Sequence, residues 1–222
     1  EIDESHHVWI KGGSEGTDGL RTPFRSTLAG TEGEIHINNL NVKGSSGKRA
    51  IIIEGVDVPV TIENSRIKSD QWAIVLRDVD GAVIIRDNQN IEGGIFLDGD
   101  PDAAGNMIDR QYTVSTNTIS HAYPGMSCIQ THAIHDVLIE NTDMTATGDY
   151  ANGVLVSGGR VTIKKGSILT SGPEKCQAIG VGESVGGHNG IVSAEDLTMI
   201  TGGVQTGPKG YIKLTGNTFS NA

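Results

Sequence analysis

Four residues able to move protons or compensate charge recur at one phase of a repeat: Glu54, Arg77, Asp98 and His132. Each stands four places after a small residue, namely Ala50, Ala73, Gly94 and Cys128, and the same slot continues as Ser157 and Gly182. If each small residue opens a strand, the first and third positions after it face inward and the fourth faces out. Neighbouring strands lie ~4.8 Å apart, so successive heads in this column can touch. A carboxylate or an imidazole can transfer a proton, and a guanidinium can neutralise an anion; together these are the parts of general acid/base catalysis. The plainer reading is a row of cross-strand ion pairs, worth only fractions of ~1 kcal/mol on a surface.

Other candidates flank the column. One repeat is longer than the rest, and its extra residues follow Asp98. Extra length in a solenoid goes to loops on one face, often the binding face. Asp98, Asp100 and Asp102, with Asp109 at the twelfth position, partly imitate a calcium loop. Ala103 stands where the sharp turn of such a loop wants Gly, and Asp109 replaces the usual Glu, so an Asx-rich surface turn competes with calcium binding. His132, His135 and Asp136 form a second cluster. Two His three apart on a strand face opposite ways unless a turn intervenes, which argues against a shared metal; a turn at Ala133 is plausible from the matching Gly55 and Asp78. His121 and Tyr123 are expected to overhang from the preceding turn, where a loop reading is again the default.

These side chains need a scaffold, and the stretch from Pro59 to Asp98 shows it. An apolar-x-apolar strand (Val60, Ile62) leads to Asn64, a single apolar point (Ile67), then a small residue and a second apolar pair (Ala73, Ile74, Leu76). The unit restarts at Val83. The first series continues through Tyr112, Val137, Val161, Ile191 and Ile212; the small-residue series runs from Ala50 to Gly203. Most of the small-residue series recurs every ~21–25 residues, a solenoid period. Alternation within segments is period two, so these are strands with one face inward. A unit this short buries its apolar face only against copies of itself. The expected architecture is all-β: a parallel β-helix of about eight coils with three short strands each. Residues 35–222 form the solenoid, and 1–34 a segment packing on or entering it. Helical spacing is absent, so a leucine-rich repeat fits poorly.

The recurring strands, Asn turn and small residue resemble the right-handed parallel β-helix of the pectate-lyase-like superfamily over roughly residues 35–219. That resemblance implies a protein acting on an acidic polysaccharide, as a lyase, glycoside hydrolase or epimerase. It equally allows a non-catalytic shaft or polysaccharide-binding module of a phage tailspike or surface protein, since fold alone does not choose. Under the first reading Arg77, Asp98 and His132 are the catalytic candidates, with Arg77 neutralising a uronate and Asp98 or His132 moving the proton. Glu54, His135, Asp136 and Tyr123 are the substrate-binding candidates. An extracellular, cell-surface or virion setting is implied, with a homotrimer or further domains of a parent chain as partners. Two short resemblances to pectin hydrolases, at Arg66–Lys68 and Asn141–Asp143, are set aside. Their order is reversed, and Ile67 and Asn141 are explained by the repeat. The Gly-rich run 180–187 lacks the Lys-Ser/Thr and helix of a phosphate loop.

Composition narrows the partners. The 222-residue chain has a net charge of −10, which argues against nucleic acid and anionic membranes. No apolar run is long enough to span a bilayer. The start lacks the features of a signal peptide, so a removed leader or a longer parent chain is expected. Asn38 or Asn39, Asn64, Asn88, Asn117, Asn141 and Asn217 are expected to stack as one buried ladder, with Gly166 and Asp196 as interruptions. Cys128 and Cys176 fall about two strand spacings apart, ~9–10 Å, too far for a disulfide. Ile52, Val75, Phe96, Gln130 and Leu155 form an outward, mostly apolar row that calls for a covering polypeptide.

Overall fold

The computed structural model describes residues 20–21, 34–44, 49–99, 105–172, 175–182 and 187–220. The candidate ligands Asp100 and Asp102 lie outside these, as does most of the segment 1–34. Within 1–34, Leu20–Arg21 forms a two-residue strand parallel to Ile51–Ile52.

The chain winds as a parallel β-solenoid, with no helix among the described residues. On the opening face Ile35 stacks on Val60, Val83, Tyr112, Val137, Val161, Val192 and Ile212 in unbroken parallel register. A middle face follows each Asn-like corner: Asn41–Lys43, then Arg66, Asn90, Thr118, Asp143, Ser167 and Met199 in successive coils. A closing face carries the small-residue strands. The described residues complete about six turns rather than the eight expected, a minor difference. Ser127–Thr147 and Asn152–Ser171 run through two corners as continuous strands, paired along their length except for a register shift between Ile134 and Asp136.

Alternation dictates the core. Ile74, Ile95, Ile129, Val154 and Ile179 are in register on the closing face and fully buried. Each such side chain contributes roughly 1.5–3 kcal/mol on leaving water. The small residue that opens each closing strand has a steric reason. A Cβ on Gly153 would lie 2.2 Å from Ile168 Cγ2 and 2.6 Å from the Ala178 carbonyl oxygen.

The Asn ladder differs from expectation. The six Asn do not share one row; they belong to two adjacent rows with different tasks. Asn39, Asn64, Asp87, Thr116, Asn141 and Asp196 occupy the left-handed corner, at φ between 46° and 55°. Asn suits this position because its side chain tolerates left-handed backbone. The next residue supplies the buried ladder: Ser65, Asn88, Asn117 and Thr142. Here one rule repeats. The backbone N–H of each slot donates to the side-chain oxygen of the slot in the next coil: Leu40 to Ser65 (3.0 Å), Ser65 to Asn88 (2.9 Å), Asn88 to Asn117 (3.1 Å) and Leu197 to Asn217 (3.0 Å). Gly166 therefore interrupts the ladder, whereas Asp196 is a corner residue.

The outward apolar row is covered at its start. Ile52 and Val75 are buried although they lie outside the central cluster, and Trp72 stacks on Phe96 with centroids 5.3 Å apart. Both cysteines are free. Cys128 is enclosed, and desolvation pushes its thiol pKa well above the ordinary range, whereas Cys176 is partly exposed and donates to the Gly148 carbonyl. A thiol reagent is expected to modify Cys176 alone in the native protein and both cysteines after denaturation without reductant. Mass spectrometry of the labelled chain reads this directly, and a count of zero after denaturation would contradict the stacking register.

Candidate functional site

The closing face builds the column in the order the repeat implies. Glu54, Arg77, Asp98, His132, Ser157 and Gly182 are consecutive register partners. Their heads meet. Arg77 Nη1 lies 3.3 Å from Glu54 Oε1, and its Nε lies 3.4 Å from Asp98 Oδ2. His132 Nδ1 lies 2.8 Å from Asp98 Oδ1. The Arg77 guanidinium also sits 5.9 Å from the centre of the Phe96 ring. An ionised carboxylate only accepts, so Nδ1 carries the proton and donates to Asp98. His132 Nε2 is then a proton acceptor by elimination, and it is buried without a hydrogen-bond partner among the described residues. An oriented imidazole with one free nitrogen is the arrangement a general base needs. Arg77 is held between two carboxylates, as the cross-strand ion-pair reading of the column expects.

The long coil adjoins this point. The Gly99 N–H donates to the His132 carbonyl at 2.8 Å. Asp98 is engaged by Arg77 and His132, Asp100 and Asp102 lie outside the described set, and Asp109 lies 3.3 Å from His135 Nδ1 instead. The returning end of the insertion is fixed by Arg110, which sequence reasoning missed. It is buried and reaches Asp80 Oδ1 at 2.8 Å and Asp78 Oδ1 at 3.4 Å. Tyr112 beside it donates to the Val79 carbonyl at 2.8 Å, and burial pushes its phenol pKa upward.

The second cluster is separate. Ala133 adopts φ 53°, the turn the sequence suggested, and the register shifts between Ile134 and Asp136. His132 therefore joins Asp98, whereas His135 Nδ1 lies 3.3 Å from Asp109 and 3.0 Å from Asp136. Asp109, His135 and Asp136 present ligand atoms within 4.8 Å of one another. Arg160 approaches the other Asp136 oxygen at 3.3 Å and already compensates that carboxylate. Another outward network, on the opening face, was not anticipated. Glu63 accepts from His36 at 2.8 Å and from Arg86 at 2.7 Å, and these bonds hold its pKa below the usual carboxylate range.

Tyr123 is not brought to the column. It borders a groove of about 580 Å³ on the middle face, with Lys68, Glu92, Ser120, His121 and Thr145. The signal for this groove was present as the outward positions of the strands after each Asn-like corner, which drew no attention because they hold no repeated catalytic type. No family model matches the chain, and neither the curated proteins nor the solved structures contain a match. The solenoid architecture thus stands on the coordinates, and any assignment of activity stands on the side chains.

Proposed function

We propose that the protein acts on an acidic polysaccharide at the Glu54–Arg77–Asp98–His132 column, with His132 as general base. The observation that carries this reading is the 2.8 Å bond from His132 Nδ1 to Asp98, which orients the ring and leaves Nε2 without a hydrogen-bond partner among the described residues; Nε2 is enclosed, so the side chains over it must move aside before it takes a proton from substrate. In a uronate the proton α to the carboxylate is the one such a base would remove. Nε2 takes that proton; the electron pair forms a carbon–carbon double bond as the glycosidic C–O bond breaks and the leaving oxygen takes a proton from water, or the carbanion is reprotonated by water from the opposite side. Elimination makes the protein a lyase, and reprotonation an epimerase. The Arg77 guanidinium lies where negative charge develops, and preorganised charge of this kind is a large catalytic term. The role of Asp98 is to orient the ring and stabilise the imidazolium. Such polymers are met outside the cell, so the setting proposed is extracellular, cell-surface or virion-borne.

The test is incubation with a panel of acidic polysaccharides, following new ultraviolet absorbance, reducing ends and changed sugar configuration. Asp98→Asn is expected to lower kcat by about 10²–10⁴, the usual worth of a positioned acid/base pair. His132→Ala is expected to remove turnover, while both variants keep the native melting temperature within a few degrees. Turnover that survives His132→Ala would remove the site. A second reading is favoured by one feature: Arg77 is matched by two carboxylates, as in a network that only stiffens a face. A non-catalytic shaft or binding module then follows, and it would show glycan binding with no product from any polymer.

A further inference from the structure

We infer that the middle face carries a second site, a binding track for an anionic glycan strand lying along the solenoid axis. Three depressions join there. One of about 500 Å³ and one of about 290 Å³ share Asn41 and Arg66 as walls; the second and the 580 Å³ groove share Lys68 and Glu92. The first two lie side by side on the same three coils, displaced along the strands, and the 580 Å³ groove carries the track on along the axis to the coils bearing Tyr123 and Thr145.

Charge selects the occupant. Lys43 and Lys68 are direct register partners on adjacent strands. Like charges so placed repel and destabilise, and Arg66 adds a third cation on the same strand as Lys68. Glu92 pairs with Lys68, but Lys43 and Arg66 have no ion pair among the described residues. Exposed cations stacked against each other, in a protein of net charge −10, fit a ligand that supplies the missing anions. The far end suits the sugar ring itself. Tyr123 is exposed and offers an aromatic face, Ser120 and Thr145 offer hydroxyls, and His121 lies in the wall. His121 is only 7% exposed, and its Nδ1 has no hydrogen-bond partner among the described residues. Burial lowers its pKa, so the ring is a neutral part of the groove wall at pH 7. A nucleic acid fits less well, because a single-stranded polymer would find one stacking platform, Tyr123, rather than several.

The polymer class rests on the preceding proposal, but the site shares no residue with the column. The full chain is titrated with a fluorescent oligogalacturonate, with a neutral oligoglucan and a single-stranded oligonucleotide of equal charge as competitors. Binding is expected to weaken with salt and to fall at least tenfold in the double variant Lys43→Gln, Arg66→Gln. Tyr123→Ala is expected to weaken it several-fold, while Lys213→Gln, exposed on the opening face, leaves it unchanged. The exposed positions of Lys43 and Arg66 let the double variant fold, which its melting curve verifies. Unchanged affinity in the double variant, or equal competition by the oligonucleotide, overturns the track. Binding lost in the double variant with no turnover of any polymer upholds the track and sinks the catalytic proposal. Turnover that depends on His132 with binding indifferent to Lys43 and Arg66 does the reverse.

Discussion

Asn117→Ala is expected to destabilise the solenoid by ~3 kcal/mol or more, because each orphaned buried polar group costs about 1–3 kcal/mol. The Asn117 amide is buried at the centre of the ladder. Its oxygen accepts from the Asn88 backbone N–H at 3.1 Å and from the Asn88 side chain at 2.9 Å. Its nitrogen donates to the Ile85 and Ser115 carbonyls, both at 2.9 Å. Alanine leaves the Asn88 N–H without an acceptor inside the fold and removes two bonds that tie one coil to the one beneath. Asn64→Ala is the control. Asn64 is exposed, and its side chain bonds only Asn38, so the expected cost is near the ~1 kcal/mol of a left-handed alanine. Urea midpoints for the two variants should differ clearly; equal midpoints would show that the ladder amides do not hold the coils together.

Gly159→Ala is the second substitution expected to be severe, at ~4 kcal/mol or enough to prevent folding. Gly159 has φ +88°, and an added Cβ would sit 1.8 Å from the Ile134 carbonyl oxygen. Left-handed backbone costs a non-glycine residue ~1–2 kcal/mol. A backbone clash adds the ~1–3 kcal/mol of overpacking, and there is no flexible side-chain end to yield. The lesion lies where it also matters for chemistry, because Ile134 sits between His132 and His135 on the bent strand Ser127–Thr147. Gly182→Ala is the matched control: nothing stands within 4 Å of its added Cβ, so stability should change by less than ~0.5 kcal/mol, the usual surface effect. Thermal melts and soluble yield check both. A Gly159→Ala protein as stable as Gly182→Ala would mean the corner is far softer than its geometry implies.

Much of this geometry could be read from letters alone, for a specific reason. Parallel stacking turns a repeat into columns, so the neighbours Glu54, Arg77, Asp98 and His132 follow once the small residue is aligned. The same alignment kept Cys128 and Cys176 apart and separated His132 from His135. It failed where one residue of phase matters. Asn64 and Asn88 look alike on the page, yet one bends the backbone and the other fills the core, because the corner needs two consecutive special residues. It also failed where distant chain returns. Nothing local shows that Arg110 will thread back to Asp78 and Asp80, or that Trp72 will lie over Phe96. The middle-face groove escaped notice since its walls are lysines, hydroxyls and a lone tyrosine, types that a scan for catalytic sets passes over.

The unbroken parallel register also governs how damage spreads. Every described coil is bonded to the coil before and the coil after, so the molecule behaves as a one-dimensional lattice whose cooperativity is handed on link by link. Loosening should begin where a link is weakest. In the last turns Leu214 and Phe219 are exposed at positions that are enclosed in earlier coils. Amide exchange should therefore form a gradient, fastest beyond Gly203 and slowest between Ile74 and Ile168, with Arg77, Asp98 and His132 lying in the slow zone. Fraying at that end would leave the working rows intact, much as a rope can unravel at its tip without loosening the knot in its middle.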